Sequence, residues 1–345
     1  MEPSHPYSRQ DGDKEHIIQL PNNRQLAYAC NGPVGSKSLV IFFSGLMSVG
    51  NASDVPIPCR DRGMRWIAPT LVGFGNSSSR DPAVPYHETL AKDMTALLAH
   101  LYPDGEFESI ILAGGSYGTV PAQMLYGAPY ELFPAGRKIA GCVLLAGFSP
   151  FKYDKAHSQQ LSWQNWMSIG APSRLPFRPL QRLFRLAISS KMGDVEGAKV
   201  FLHDTLLGMM DAQEKEQFQK WLVEKGRSES EFIEKQAKGA VRSCENWDGF
   251  MEVSDVIHSD WGFNPATLDT EHASKPVLVV SSENDQLGGS NNDWLCENYK
   301  AAKHKKLPGG HISSLYYLDE IMQEIIGDCM VPPAARSGAA PVPRC

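Results

Sequence analysis

Short apolar runs of strand length recur through the first 150 residues of the chain and return near its end. HIIQL (16–20) and QLAYAC (25–30) flank PNN, a turn signal, and predict a β-hairpin. LVIFF (39–43), RWIAP (65–69), SIILAG (109–114) and IAGCVLLAG (139–147) follow as further buried strands. Between them lie a Gly/Ser/Pro-rich loop, a helical pattern in HETLAKDMTALLAHLY (87–102), and the segment after Ser116. Apolar strands separated by helices imply a parallel sheet covered on both faces.

From about Pro150 to His272 the period changes to helical: QQLSWQNWMSI, PLQRLFRLAISSKM, EGAKVFLHDTLLGMM, EKEQFQKWLVEK and SEFIEKQAKGAV succeed one another, and no strand is predicted. The strand pattern resumes with KPVLVVSS (275–282), then a helix-like NDWLCENYKAA, a short strand KHKKL (303–307) and a last helix SSLYYLDEIMQEIIG (313–327). An all-helical block interrupting an α/β chain is the pattern of an inserted cap. The expected organisation is a disordered leader over 1–13, a core over 14–149 and 273–330, a helical cap over 150–272 and a disordered tail over 331–345. Five of the seven tryptophans (Trp163, Trp166, Trp221, Trp247, Trp261) fall in the block, where they suit either its own core or a lid over an apolar substrate. In FRPLQRLFRLAISSKM, Phe177, Leu180, Phe184 and Ile188 form a helical stripe with Arg178, Arg182 and Arg185 off it, and packing on neighbouring helices is preferred over a membrane surface.

At 345 residues the chain is long enough for one large core with a substantial insertion. The apolar share of 42%, the charged share of 21% and a formal charge of −6 describe a soluble globular protein and disfavour a nucleic-acid partner. No apolar run approaches the roughly 18 residues of a membrane span. Seven cysteines are scattered without a CxxC pair, which argues against a disulfide framework and a zinc site and points to the reduced cytoplasm.

The chemistry centres on Gly114, Ser116 and Gly118, a G-x-S-x-G set between a strand and a helix. A serine on so sharp a turn takes a strained backbone, and glycines on either side avoid collision with the adjacent strand and helix. Alone the motif is as consistent with a plain turn. Serine is a poor nucleophile at neutral pH and needs a base and an orienting acid, in the chain order Ser, Asp/Glu, His. Asp285 lies just past the strand VLVVSS, and His311 lies in a Gly-rich loop before the final helix. Glu283 and Asp154 are alternative acids, and Asp154, after the strand ending near Gly147, is the stronger rival.

With these residues in place the chain resembles the α/β-hydrolase family, in particular its capped esterase-like and C–C-hydrolase-like members. The resemblance runs from about Glu15 to Gly327 and rests on NNRQLAYACNGP, FFSGLMS, IAPTLVGFGNSS, the elbow GGSYG, SSENDQLGG and the GGH loop. It implies a mostly parallel eight-stranded sheet with helices on both faces and an inserted helical cap. It further implies a nucleophile Ser116, a base His311 and an acid Asp285, with the backbone N–H groups of Leu46 and Tyr117 as oxyanion donors. Ser44 stands where the family most often has histidine and Thr70 where it has aspartate, so altered loop packing is expected there. Gly45, Met47, Trp163, Trp166 and Met167 are candidate substrate contacts.

The function so implied is hydrolysis of an ester, lactone or thioester of a medium or bulky apolar small molecule through an acyl-enzyme, with neither metal nor organic cofactor. A serine rather than an aspartate nucleophile argues against epoxide hydrolases and haloalkane dehalogenases of this fold. The same three residues would serve C–C bond hydrolysis, acyl transfer or lyase chemistry, and a non-catalytic binding protein on the same fold is the alternative from another class. A small-molecule substrate is the expected partner, and the sequence leaves homodimer formation open.

Overall fold

The computed structural model describes residues 7–157, 161–285 and 292–330. The tail 331–345, residues 1–6 of the expected leader, residues 158–160 around the expected start of the first block helix, and residues 286–291 of the expected acid loop lie outside the described residues. The strands are β1 His16–Gln19, β2 Gln25–Asn31, β3 Ser38–Phe43, β4 Arg65–Pro69, β5 Ser109–Gly115, β6 Ile139–Leu145, β7 Val277–Ser282 and β8 Ala302–Leu307. They form one sheet in the order β1-β2-β4-β3-β5-β6-β7-β8. β2 runs antiparallel to both β1 and β4, and the pairs from β4 through β8 are parallel. The expected hairpin turns on Asn22 and Asn23, both with positive φ (61° and 55°), a conformation that asparagine tolerates better than most residues.

The parallel strands are apolar on both faces because both are covered. Leu39, Ile41, Ile110, Leu112, Cys142, Leu144, Val277 and Val279 enter one core. Their alternates Val40, Ile111, Ala113, Val143, Leu145, Leu278 and Val280 enter the other, against Ile321, Met322, Ile325 and Ile326 of the helix Leu318–Met330. Full burial of each such aliphatic side chain contributes about 1.5–3 kcal/mol.

Ile169, Val253, Val256 and Ile257 of the flanking helices join the first sheet core, whereas the helical segments between 192 and 243 have cores of their own. Leu207, Met210, Phe218, Trp221, Leu222, Phe232 and Ile233 form one, which also takes in Ile312, Leu315 and Tyr316 from beyond β8. Met192, Ala198, Leu202, Ala237 and Ala240 form another, against which Met47 packs. Ion pairs then tie these helices to the sheet domain: Asp54 meets Arg227 and Lys235, Lys225 meets Asp319 at 3.0 Å, and Arg242 meets Glu15 at 2.6 Å.

Three elements differ from expectation. Residues 9–13, assigned to the leader, form a helical turn held by Gly12, whose carbonyl accepts from Ala52 N at 2.9 Å and where a Cβ would lie 2.3 Å from Ala52 O. The helix Asp248–His258 was not anticipated, because its start is polar and contains Gly249. That glycine lets the helix seat on the loop after β4, with Gly249 N donating to Gly73 O at 2.8 Å and Phe74 lying where a side chain would go. Phe177, expected in the packed stripe of its helix, is 86% exposed, on a left-handed turn with Arg178 (φ 65° and 52°), and the helix begins after it at Pro179.

Candidate active site

Ser116 follows β5 directly and takes φ +52°, a left-handed conformation that costs a non-glycine residue of the order of 1–3 kcal/mol. The turn exists because two glycines permit it. A Cβ on Gly114 would lie 2.2 Å from Gly118 O, and one on Gly118 would lie 2.1 Å from Phe43 O. Gly115 is different, since its nearest neighbour would be Phe42 Cζ at 3.9 Å. Thr119, which the sequence did not single out, braces the turn: its Oγ1 donates to Ser116 O at 2.7 Å and accepts from Phe148 N at 3.2 Å. The helix Thr119–Tyr126 then runs away beneath the serine and accommodates Pro121 in its first turn, where a missing N–H costs little.

The loop after β3 crosses the elbow. Phe43 pairs with Gly114 in the sheet, so the following Ser44, Gly45 and Leu46 are carried beside Ser116. Gly45 lies so near that a Cβ there would be 3.3 Å from both Gly115 O and Ser116 Cβ. Leu46 N has no hydrogen-bond acceptor among the described residues, and Tyr117 N opens a helical turn, where the first N–H groups have no partner within the helix. The neighbouring departure from the family pattern is structural: Thr70 is buried, and its Oγ1 accepts from Gly50 N at 2.9 Å.

Asp285 and His311 are joined. His311 Nδ1 lies 2.9 Å and 3.0 Å from the two carboxylate oxygens of Asp285, with the two side chains 20% and 9% exposed. The reason is a continuation of the β7–β8 pairing beyond the strand ends, where Glu283 N donates to Leu307 O at 2.9 Å and Asn284 N to Gly309 O at 3.0 Å. The next residue on each side of this zipper is Asp285 and the turn at Gly310–His311. Of the rival acids, Asp154 is buried and turned to its own loop, accepting from Ser149 Oγ at 2.7 Å and Ala156 N at 3.1 Å. Glu283 is half-exposed, 4.0 Å from Lys306. No hydrogen bond joins Ser116 Oγ to His311 among the described residues.

The profile of the alpha/beta hydrolase family matches residues 52–324. This chain belongs to the alpha/beta hydrolase family. Membership marks it as a hydrolytic enzyme, and the eight-stranded order above is the family's fold. Among solved structures it is similar to a hydrolase from Pseudomonas aeruginosa PA01 (17% identical, TM-score 0.57, covering 92% of this chain and 99% of that one). A thermophilic esterase from Thermogutta terrifontis is similar at 15% identity (TM-score 0.54, 92% and 100% covered). So is the 2-hydroxy-6-oxo-6-phenylhexa-2,4-dienoate hydrolase of Rhodococcus sp. strain RHA1, at 18% (TM-score 0.52, 91% and 99% covered). At these identities the likeness is one of fold. No curated protein sequence matches the chain significantly.

In this hydrolase His311 and Asp285 open onto a cavity of about 420 Å³ walled by Leu206, Met209 and Met210 from the helical block. Leu206 belongs to a π-helical turn, His203–Leu207, that extends the helix Val195–Leu202. Of the other residues expected to contact substrate, Trp166 and Met167 are half-buried, whereas Trp163 is 70% exposed and stacks on Trp166 with ring centroids 5.2 Å apart. Trp163 therefore meets solvent at the first position of the helix Trp163–Ile169. Among the described residues no group of three or more His, Cys, Asp or Glu is arranged to hold a metal ion, and no helix is long and apolar enough to cross a membrane.

Proposed function

We propose that this hydrolase cleaves an ester, lactone or thioester of a medium or bulky apolar small molecule, with Ser116 as nucleophile, His311 as base and Asp285 as the acid that orients it. The observation that carries the reading is the Asp285 carboxylate on His311 Nδ1, which leaves Nε2 as the ring atom for proton transfer, together with a serine at φ +52° at the same edge of the sheet. Nε2 takes the Ser116 proton as Oγ attacks the carbonyl carbon. The developing oxyanion is received by the N–H groups of Leu46 and Tyr117, a pair in which loss of one donor typically costs about 2.7–4 kcal/mol of barrier. The imidazolium returns its proton to the departing alcohol or thiol, and an acyl-Ser116 remains. Water, giving a proton to Nε2, then attacks the acyl carbon, and the imidazolium returns that proton to Ser116 Oγ as the Oγ–acyl bond breaks and the acid leaves.

The helical block acts in this reading as a cap over the C-terminal ends of β5, β7 and β8, and its Leu206, Met209 and Met210 give the otherwise largely polar His311 cavity one apolar side that would receive an apolar substituent. The test is labelling with a fluorophosphonate probe, with Ser116→Ala as control. Covalent modification of Ser116 in the wild type is expected, and absence of label there would refute the assignment. Labelling without turnover of any ester would instead move the chemistry to C–C cleavage or acyl transfer by the same three residues.

A further inference from the structure

The loop that carries His311 is soft where it matters most. Gly309, at φ +90°, and Gly310 immediately precede the histidine, and glycine backbones have more conformations to lose than any other. Its far side is fixed by apolar contact, since Ile312, Leu315 and Tyr316 pack with Phe218, Trp221 and Phe232 of the helical block. The glycine side is met by a carboxyl group.

Glu214, in the first turn of the helix Ala212–Glu224, is 5% exposed. Its Oε1 accepts from Ser313 Oγ at 3.0 Å, and Ser313 is itself fully buried. Its carboxyl group lies flat on the glycines: a Cβ on Gly310 would be 2.9 Å from Glu214 Oε2, and one on Gly309 would be 3.3 Å from Glu214 Cδ. The residue before this helix, Asp211, caps it by accepting from Glu214 N at 2.8 Å and uses its other oxygen to accept from Asn284 Nδ2 at 3.2 Å. One helix N-terminus thus grips the loop of the acid and the loop of the base together. An aspartate cap followed three residues later by glutamate ordinarily closes on its own helix. Here the glutamate reaches outward, and burying a carboxyl group is costly unless it is hydrogen-bonded to something that needs it.

We propose that Glu214 is a positioning residue, which through Ser313 and the Gly309–Gly310 backbone holds His311 in register with Asp285 and Ser116 and so couples the helical block to the base. This rests on the reading of His311 as the base. The experiment is steady-state hydrolysis of a p-nitrophenyl ester by the full chain carrying Glu214→Ala, Ser313→Ala, both together, or Glu214→Gln. Because a misplaced catalytic group of about 1 Å costs on the order of 100-fold, each alanine variant should lose about 10- to 100-fold in kcat with KM within threefold. The double variant should lose no more than the worse single one, and Glu214→Gln, whose amide oxygen still accepts from Ser313, should recover to within about threefold. A packing role alone would lower the melting temperature without this split or this rescue. Ser313→Ala with wild-type kcat, or a loss confined to KM, would overturn the proposal, and Ser313→Ala decides the matter if Glu214→Ala does not fold. Failure of the base assignment is read separately: His311→Ala would then retain turnover.

Discussion

The elbow contains three glycines of which the structure needs two, and this makes a sharp test. In Gly118→Ala the new methyl group would lie 2.1 Å from Phe43 O and 2.7 Å from Ser44 O, both backbone atoms. Even a close carbon–oxygen contact needs about 3.3 Å, so the carbonyl at the end of β3 must retreat by about 1.2 Å. Phe43 is held by its pairing with Gly114, so the strain passes to the loop Ser44–Leu46, which supplies one proposed oxyanion donor. A displacement of that size is equivalent to losing most of one donor, and kcat/KM should fall about 100- to 1000-fold. Overpacking also costs about 1–3 kcal/mol, visible as a lower melting temperature. In Gly115→Ala the methyl group meets only Phe42 Cζ at 3.9 Å, and the backbone (φ −111°, ψ 135°) suits any residue, so kcat/KM should stay within about threefold. The assay is p-nitrophenyl ester hydrolysis with thermal unfolding in parallel. Equal losses in the two variants, or none in Gly118→Ala, would refute the argument that close approach rather than flexibility explains these glycines.

Asp285→Asn should lower kcat by about 10⁴-fold by favouring the wrong imidazole tautomer, while Asp154→Asn, turned to Ser149 and Ala156, should stay within about threefold; the reverse ranking would transfer the acid to Asp154. For Asp54, burial raises the pKa, but Arg227 and Lys235 outweigh it and hold the carboxyl at about 2 rather than 3.8. A depressed carboxylate stabilises the fold above its unfolded pKa and ceases to do so as pH falls through the folded value. With the side chain 35% exposed, screening reduces this contribution to about 1 kcal/mol. The stability difference between wild type and Asp54→Asn should therefore shrink between about pH 4 and pH 2, and a constant difference in denaturant unfolding would contradict it. In a p-nitrophenyl series, butyrate to decanoate should exceed acetate in kcat/KM, and equal rates would count against an apolar subsite at Leu206, Met209 and Met210.

Much of this architecture is legible locally. Runs such as LVIFF and VLVV declare strands buried on both faces, because residues on the two sides of a pleat alternate and both sides here must be apolar. The elbow is legible too, since its glycines answer contacts within four residues of one another and with the adjacent strand. The short helix at 9–13 and the helix Asp248–His258 were not legible, because each is stabilised by a glycine pressed against a distant backbone, Ala52 in one case and Gly73 in the other. Nothing in DGFMEVSDVIH itself records that contact.

The candidate site divides in the same way. By itself the sequence determined that a serine on a strand-to-helix turn is followed by acids and one loop histidine at later strand ends, because strand length, turn glycines and chain order are properties of neighbouring residues. Only the tertiary structure decided which carboxylate meets that histidine. The choice of Asp285 over Asp154 depends on two hydrogen bonds that extend the β7–β8 pairing past the ends of both strands. It likewise decided that Trp163 faces solvent and that Glu214, an unremarkable charge in a helical pattern, is buried against Gly310. Side chains 99 positions apart, such as Glu214 and Ser313, become partners only once the sheet has brought its loops to one edge and the helical block has packed upon them.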